Sequence, residues 1–293
     1  MYLVVDGLVV SLLLTAFFSA MGLGLNLIFG VMKIVNLSQG AFFMMGSFMA
    51  ISLYAIYRFN PLESIILIVP LFFAISIPIY FAFIPRLSKS KDAEIASFVL
   101  FFGLAFIIQS IALSLYGTTY YSIPNSSFNV PSVNTFGYYV PFSYYVAAFY
   151  SLGVLIFVYM YLFHTKLGLK TRALMSNKDA ALLSGINVSL ISVVAFSMSI
   201  AVVASVGAFS SQILFSTTQD IGNIITITSF AIIIIGGLGN PLATIAGGAV
   251  YAFSYEFASI YFPSWLTVIP FIILLVIIII RPNGIFGRKL REI

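Results

Sequence analysis

A chain of 293 residues with 61% hydrophobic and only 7% charged side chains, and a mean hydropathy of +1.14, cannot hide its apolar surface in a soluble fold, where about 25% of residues are charged. Lipid must solvate most of it, and the net charge of +5 is spread between apolar segments, as topology signals are, rather than gathered on a nucleic-acid-binding face. The lack of cysteine excludes disulfides and thiolate metal sites.

The first apolar stretch begins at Leu8. No basic region precedes it and Asp6 is the one charge there, so it is expected to be a retained span rather than a cleaved signal. A helix needs about 20 apolar residues to cross about 30 Å of hydrocarbon. Nine segments meet that requirement: 8–30, 36–57, 64–84, 94–115, 141–163, 190–210, 222–238, 241–262 and 265–281. The predicted fold is all-α, a polytopic transmembrane helical bundle forming a single domain over 1–293. The stretches 26–40 and 222–248 contain Gly, Asn and Pro. Broken or re-entrant helices are expected there, with eight full spans as the alternative count.

Twelve of the thirteen basic residues fall on one side of this arrangement. They are Lys33, then Arg86, Lys89 and Lys91, then Lys166, Lys170, Arg172 and Lys178, then Arg281, Arg288, Lys289 and Arg291. Only Arg58 lies on the other. The excess marks the cytoplasmic side, which puts the N-terminus outside and the C-terminus inside a cell membrane. Tyr54, Tyr57, Tyr116, Tyr120, Tyr121, Tyr138, Tyr139, Tyr144, Tyr145, Tyr261 and Trp265 cluster at expected outer ends, where amphipathic rings favour the headgroup layer. The outer loop 116–140, with Pro124 and Pro131, is either a docking surface or lid, or an ordinary connection.

The residues offer little to an enzyme. His164 is the only histidine and falls at a helix end, Asp220 stands alone, and no HExxH pair, metal cluster or Walker A sequence occurs. No cofactor or metal is expected on this chain, and any ATP hydrolysis must belong to another subunit. Polar groups inside apolar spans are the functional candidates instead, because they are costly there. In LNLIFGVMKIVNLSQG, residues Asn26, Asn36, Ser38 and Gln39 flank Gly30 and Gly40. They either line a solute path at a helix break or form an interfacial turn anchored by Lys33. Gln109 and Glu256 are single polar residues within spans. GGLGNPLATIAGG, 236–248, serves either close helix packing or a hinge. In the basic stretch 164–190, Ser176 and Asn177 are N-cap candidates, Asp179 follows Ser176 at capping-box spacing, and Gly185 suits a helix stop. The short helix between them is either a docking element or a plain surface helix.

Three blocks carry a resemblance. LGLNLIFGVMKIVNLSQGAFFMMGSFMA (23–50), LGLKTRALMSNKDAALLSGINVSLI (167–191) and IIIIGGLGNPLATIAGGAV (232–250), the last followed by RPNGIFGRK, resemble the inner-membrane permeases of branched-chain amino acid ABC transporters, the LivH type in particular. The resemblance covers nearly the whole chain. It implies a non-catalytic permease that pairs with a second, similar or identical permease, couples to two cytoplasmic ATPase subunits and receives solute from an extracytoplasmic binding protein. It implies an ATPase-docking loop at Asp179, Ala180, Ala181 and Gly185, with Ile186 and Asn187 following, while the cost of polar groups in apolar spans makes Asn26, Asn36, Gln39 and Gly40 the candidate solute path. Related permeases serve amino acids, urea, amides or sugars. Where the family commonly has an aromatic-His-Gly step this chain has Leu37-Ser38-Gln39-Gly40, which removes a titratable group from that position. A secondary transporter or channel without an ATPase is the rival reading, and a membrane-embedded enzyme is a further one.

Overall fold

The computed structural model describes residues 2–87, 92–128, 130, 132–135, 138–214 and 216–287. Pro131, Lys89, Lys91, Arg288, Lys289 and Arg291 lie outside the described residues. In chain order the helices are α1 (Tyr2–Met32), α2 (Gln39–Tyr57), α3 (Pro61–Leu87), α4 (Ala93–Tyr116), α5 (Phe142–His164), α6 (Lys166–Ser176), α7 (Lys178–Leu183), α8 (Val188–Gly207), α9 (Ser210–Ile213), α10 (Ile221–Gly236), α11 (Ala243–Tyr261) and α12 (Val268–Ile280). A small antiparallel hairpin, β1 (Ser132–Thr135) and β2 (Tyr138–Pro141), pairs Val133 with Val140 in the loop before α5.

Each of the nine apolar segments of the sequence corresponds to one of α1 to α5, α8, α10, α11 and α12. Among the described residues six of these (α1 to α5 and α8) are long and apolar enough to cross a membrane, whereas α10 and α12 are shorter apolar helices. The protein is therefore a multi-pass membrane protein. α8 is its axis: 83% of its span is buried, against 22% for α3 and 17% for α4 at the periphery. Pro70, Pro78 and Pro85 sit inside α3, which a transmembrane helix tolerates where neighbours and side chains satisfy the freed backbone groups.

The first expected break is real but shorter than 26–40. α1 continues to Met32, Lys33 takes a left-handed φ of 55°, and α2 starts at Gln39. The Asn36 Oδ1 accepts from the Ser38 N–H at 3.0 Å and the Ser38 hydroxyl at 2.6 Å, which turns the chain back into the membrane. The second break lies at 237–242, where Gly237 and Gly239 take φ of 132° and 75°. The third break falls where the sequence leaves a connection between 190–210 and 222–238: α8 stops at Gly207, three residues early, and the stretch leading to α10 holds the short α9, with Ser210, Gln212 and Thr217 buried. The Tyr121–Thr217 bridge joins this segment to the 116–140 loop.

The helices after the first break and after the third repeat one packing pattern. α1 lies on α11 as α8 lies on α3, α2 on α8 as α10 on α1, α2 on α3 as α10 on α11, and α2 on α4 as α10 on α12. The chain is thus built from two halves, α1 to α4 and α8 to α12, related by an approximate two-fold. Five span-length helices, α1 to α5, precede α8, and an odd number of crossings would set the two halves in opposite senses across a membrane.

Candidate functional site

The two halves meet at the first turns of α2 and α10. Gly40 and Gly222 face each other reciprocally: a Cβ on Gly40 would stand 2.0 Å from the Gly222 carbonyl oxygen, and one on Gly222 would stand 3.2 Å from the Gly40 oxygen. Only glycine permits this approach. The Gly40 N–H donates to the Thr226 hydroxyl at 3.1 Å, and that hydroxyl can donate to the oxygens of Gly222 (2.9 Å) or Leu37 (3.2 Å). Two helix N-termini, each carrying partial positive charge, are therefore brought together inside the membrane.

Around this crossing the four path candidates divide. Asn26, fully buried, is completely bonded. Its Nδ2 donates toward the oxygens of Gly237 (3.2 Å), Asn240 (2.8 Å) and Thr244 (2.8 Å), and its Oδ1 accepts from the Gly239 N–H at 2.6 Å. It clamps the second break onto α1. Asn36 and Gln39, also fully buried, are not completed: Asn36 Nδ2 and Gln39 Nε2 have no hydrogen-bond partner. Gln39 lies between Gly24 of α1 and Ser199 of α8, whose hydroxyl donates to the Gly24 oxygen at 2.7 Å and stands 3.5 Å from Gln39 Oε1. Gly40 completes the crossing. Ser197 of α8 and Ser229 of α10 also bury hydroxyls without partners. Each unmet buried group costs about 1–3 kcal/mol. Asn36 and Gln39 stand just before and at the start of α2, beside the crossing, and there the fold leaves two amide donors ready for something else.

The short helix of the basic stretch is α7. Asn177, not Ser176, caps it: Asn177 Oδ1 accepts from the N–H groups of Asp179 (2.9 Å) and Ala180 (3.0 Å), while Ser176 closes α6. The capping box expected from Ser176 and Asp179 therefore does not form; Asp179 sits in the first turn, where its charge suits the helix dipole. Gly185, at φ 74°, ends the helix in a Schellman arrangement, with Ile186 N–H on the Ala181 oxygen (3.1 Å) and Gly185 N–H on the Leu182 oxygen (3.0 Å). Ala181 is 3% exposed and packs inward, so it supports the helix from below. Ala180 faces out, together with Leu182 and a Leu183 that is 92% exposed. Leu183 went unmarked because Leu182 and Leu183 side by side in a short basic loop show no helical period.

α7 is mechanically close to the crossing. Asn187 caps α8 through the Leu190 N–H at 3.1 Å, so α7 feeds into the helix whose Ser199 contacts Gly24 and Gln39. Met175 of α6 meets Gly30 of α1, and Lys33 approaches Gly239. The C-terminal segment straps the same end, with Ile285 and Phe286 N–H groups on the oxygens of Ile235 and Gly236, both at 2.9 Å. His164, at the end of α5, does no more than approach the Tyr159 ring, at 5.9 Å, and Glu256 lies half-buried in α11. No group of three or more His, Cys, Asp or Glu residues able to hold a metal occurs among the described residues.

Residues 7–279 match the family described as branched-chain amino acid transport system / permease component. The chain belongs to this family. Among similar permeases, the probable branched-chain amino acid transport permease protein LivH of Methanocaldococcus jannaschii is 26% identical over 295 residues, covering 93% of this chain and 90% of that protein. The high-affinity branched-chain amino acid transport system permease protein BraD of Pseudomonas aeruginosa is 23% identical, covering 92% of each. LivH of Escherichia coli is 21% identical, covering 92% of this chain and 91% of its own. No solved structure matches the permease.

Proposed function

We propose that this permease forms the solute path of an importer for branched-chain amino acids, and that the path opens where α2 and α10 cross. The observation that carries the reading is the pair of buried amide donors, Asn36 Nδ2 and Gln39 Nε2, left without acceptors beside two converging helix N-termini. Such a site favours the carboxylate of an amino acid and has no use for a neutral apolar solute. In the packed state these groups are sealed, so solute reaches them only when α2 and α10 part. The relatives' names supply the substrate class.

The energy for parting comes from outside the chain. Two cytoplasmic ATPase subunits would act through α7, with Leu183 and Leu182 entering a groove and Ala180 permitting close approach, a helix-in-groove contact. Motion of α7 passes along α8 to Ser199 and Gln39. A second permease subunit completes the path, an extracytoplasmic binding protein delivers solute, and this chain itself makes or breaks no bonds. The N-terminus lies outside and the C-terminus in the cytoplasm. Purified with its partner subunits in proteoliposomes, the permease should import leucine, isoleucine or valine in an ATP-dependent manner. ATP-independent uptake would favour a secondary transporter, and import of urea or sugars alone would refute the substrate. Cysteines placed singly at Asn125 and Asn177 test the orientation: an impermeant reagent added to intact cells should label the first and not the second.

A further inference from the structure

Gln109 of α4 and Asn223 of α10 touch through their amides: Gln109 Nε2 donates to Asn223 Oδ1 at 2.8 Å. Gln109 lies within the span-length α4 and Asn223 within the apolar α10. Gln109 is seven residues from the end of α4, about 10 Å at 1.5 Å per residue. Asn223 is in the first turn of α10, next to Gly222 of the crossing. Yet Asn223 is exposed and Gln109 only half-buried, on helix faces whose neighbouring positions are Phe106 and Leu113 of α4 and Ile227 of α10, all exposed and apolar. Amides turned toward hydrocarbon are costly, and in membrane proteins such groups face water or protein instead.

The mutual bond uses half of what the pair offers. Among the described residues Gln109 Oε1 and Asn223 Nδ2 make no other hydrogen bond, so one acceptor and one donor stand side by side. Reversing both amides leaves the same pair of functions. An ammonium needs the acceptor and a carboxylate the donor, so a zwitterion suits the pair. The packing of the repeat does not require it: the residue after Gly40 in the other half, the counterpart of Asn223, is Ala41, 1% exposed and apolar.

We infer that Gln109 and Asn223 line the solute path at its mouth beside the α2–α10 crossing and hold the ammonium and carboxylate of an amino-acid solute, with Ile227 one turn on from Asn223 offering surface to an aliphatic side chain. The inference rests on the reading of the chain as an amino-acid permease. A cysteine in lipid does not ionise and stays inert, whereas one in water reacts. In the transporter reconstituted with its partner subunits, Asn223→Cys should therefore react with a charged methanethiosulfonate, read on this chain by mass. Phe149→Cys, on the exposed face of α5, should not. Gln109→Leu and Asn223→Leu should each raise the KM for leucine about tenfold. An Asn223→Cys as inert as Phe149→Cys, or a KM for leucine that neither Gln109→Leu nor Asn223→Leu changes, would overturn the inference alone. Absence of aliphatic amino-acid uptake by the unaltered transporter would instead remove the functional reading, and the solute assignment with it.

Discussion

Replacing Gly40 by alanine adds one methyl group at the point where the two halves touch. That methyl would stand 2.0 Å from the Gly222 oxygen, 2.4 Å from the Thr226 hydroxyl and 2.7 Å from the Thr226 nitrogen. Two of these three obstacles are backbone atoms of α10, so no rotamer change relieves them. Ordinary contact needs about 3.4 Å, so the helices must separate by about 1.4 Å at the crossing, at a cost of roughly 1–3 kcal/mol or somewhat more for an overpacked core. The Gly40 N–H bond to Thr226 stretches beyond reach in the same movement. Gly103→Ala and Gly153→Ala are matched controls, since a Cβ at either position meets nothing within 4 Å, and helix propensity alone then predicts a gain of up to about 1 kcal/mol. Thermal unfolding of the purified permease and leucine uptake in proteoliposomes are the assays. Gly40→Ala should lower the midpoint by several degrees and impair uptake, while the controls do neither. A Gly40→Ala permease as stable and active as the controls would show that the crossing is not packed as described.

Asn26→Leu strips partners from the Gly239 N–H and from the oxygens of Gly237 and Asn240, and should destabilise the permease by about 3 kcal/mol or more, at ~1–3 kcal/mol per stranded group, as read by thermal unfolding. Gln39→Leu should do the reverse: it removes an unpartnered buried donor, so stability should hold or rise while leucine uptake falls. Leu183→Asp changes a side chain with almost no contacts in the fold, so membrane insertion should be normal while co-purification of the ATPase subunits and ATP-driven uptake fall together; retention of both would remove α7 from the coupling role.

The apolar segments were legible because lipid demands about 20 apolar residues per crossing, and that demand is written locally. The breaks at 33–38 and 237–242 were legible for the same reason, since Asn36, Gly237 and Gly239 are turn-forming residues at their places. The connection before α10 was legible as a gap between two apolar segments, but its burial was not, because it is held by distant partners, with Thr217 bonded to Ser47 at 2.6 Å and Gln212 to Ser127 at 3.0 Å. The inverted repeat was equally hidden, because it is a relation between contacts rather than between letters, and Ala41 and Asn223 can occupy equivalent places without resembling each other. At the site, residue type singled out Asn26, Asn36 and Gln39 alike. Only geometry separates the saturated clamp at Asn26 from the two incomplete amides. The cap at Asn177 was chosen over Ser176 by one residue of register, which sequence cannot fix. Ala181, expected on the docking face, packs inward, because a six-residue helix has no periodicity long enough to tell its inner face.

The central claim is that solute passes only when α2 and α10 part. The chain contains no cysteine, and the hydroxyls of Ser47 on α2 and Thr217, four residues before α10, stand 2.6 Å apart, so a disulfide between Ser47→Cys and Thr217→Cys would tie α2 to the segment that leads into α10. Leucine uptake by the doubly substituted permease, measured after oxidation and again after reduction, tests the claim directly. Cross-linking should stop uptake and reduction should restore it. Uptake that continues unchanged with the cross-link complete would place the path elsewhere.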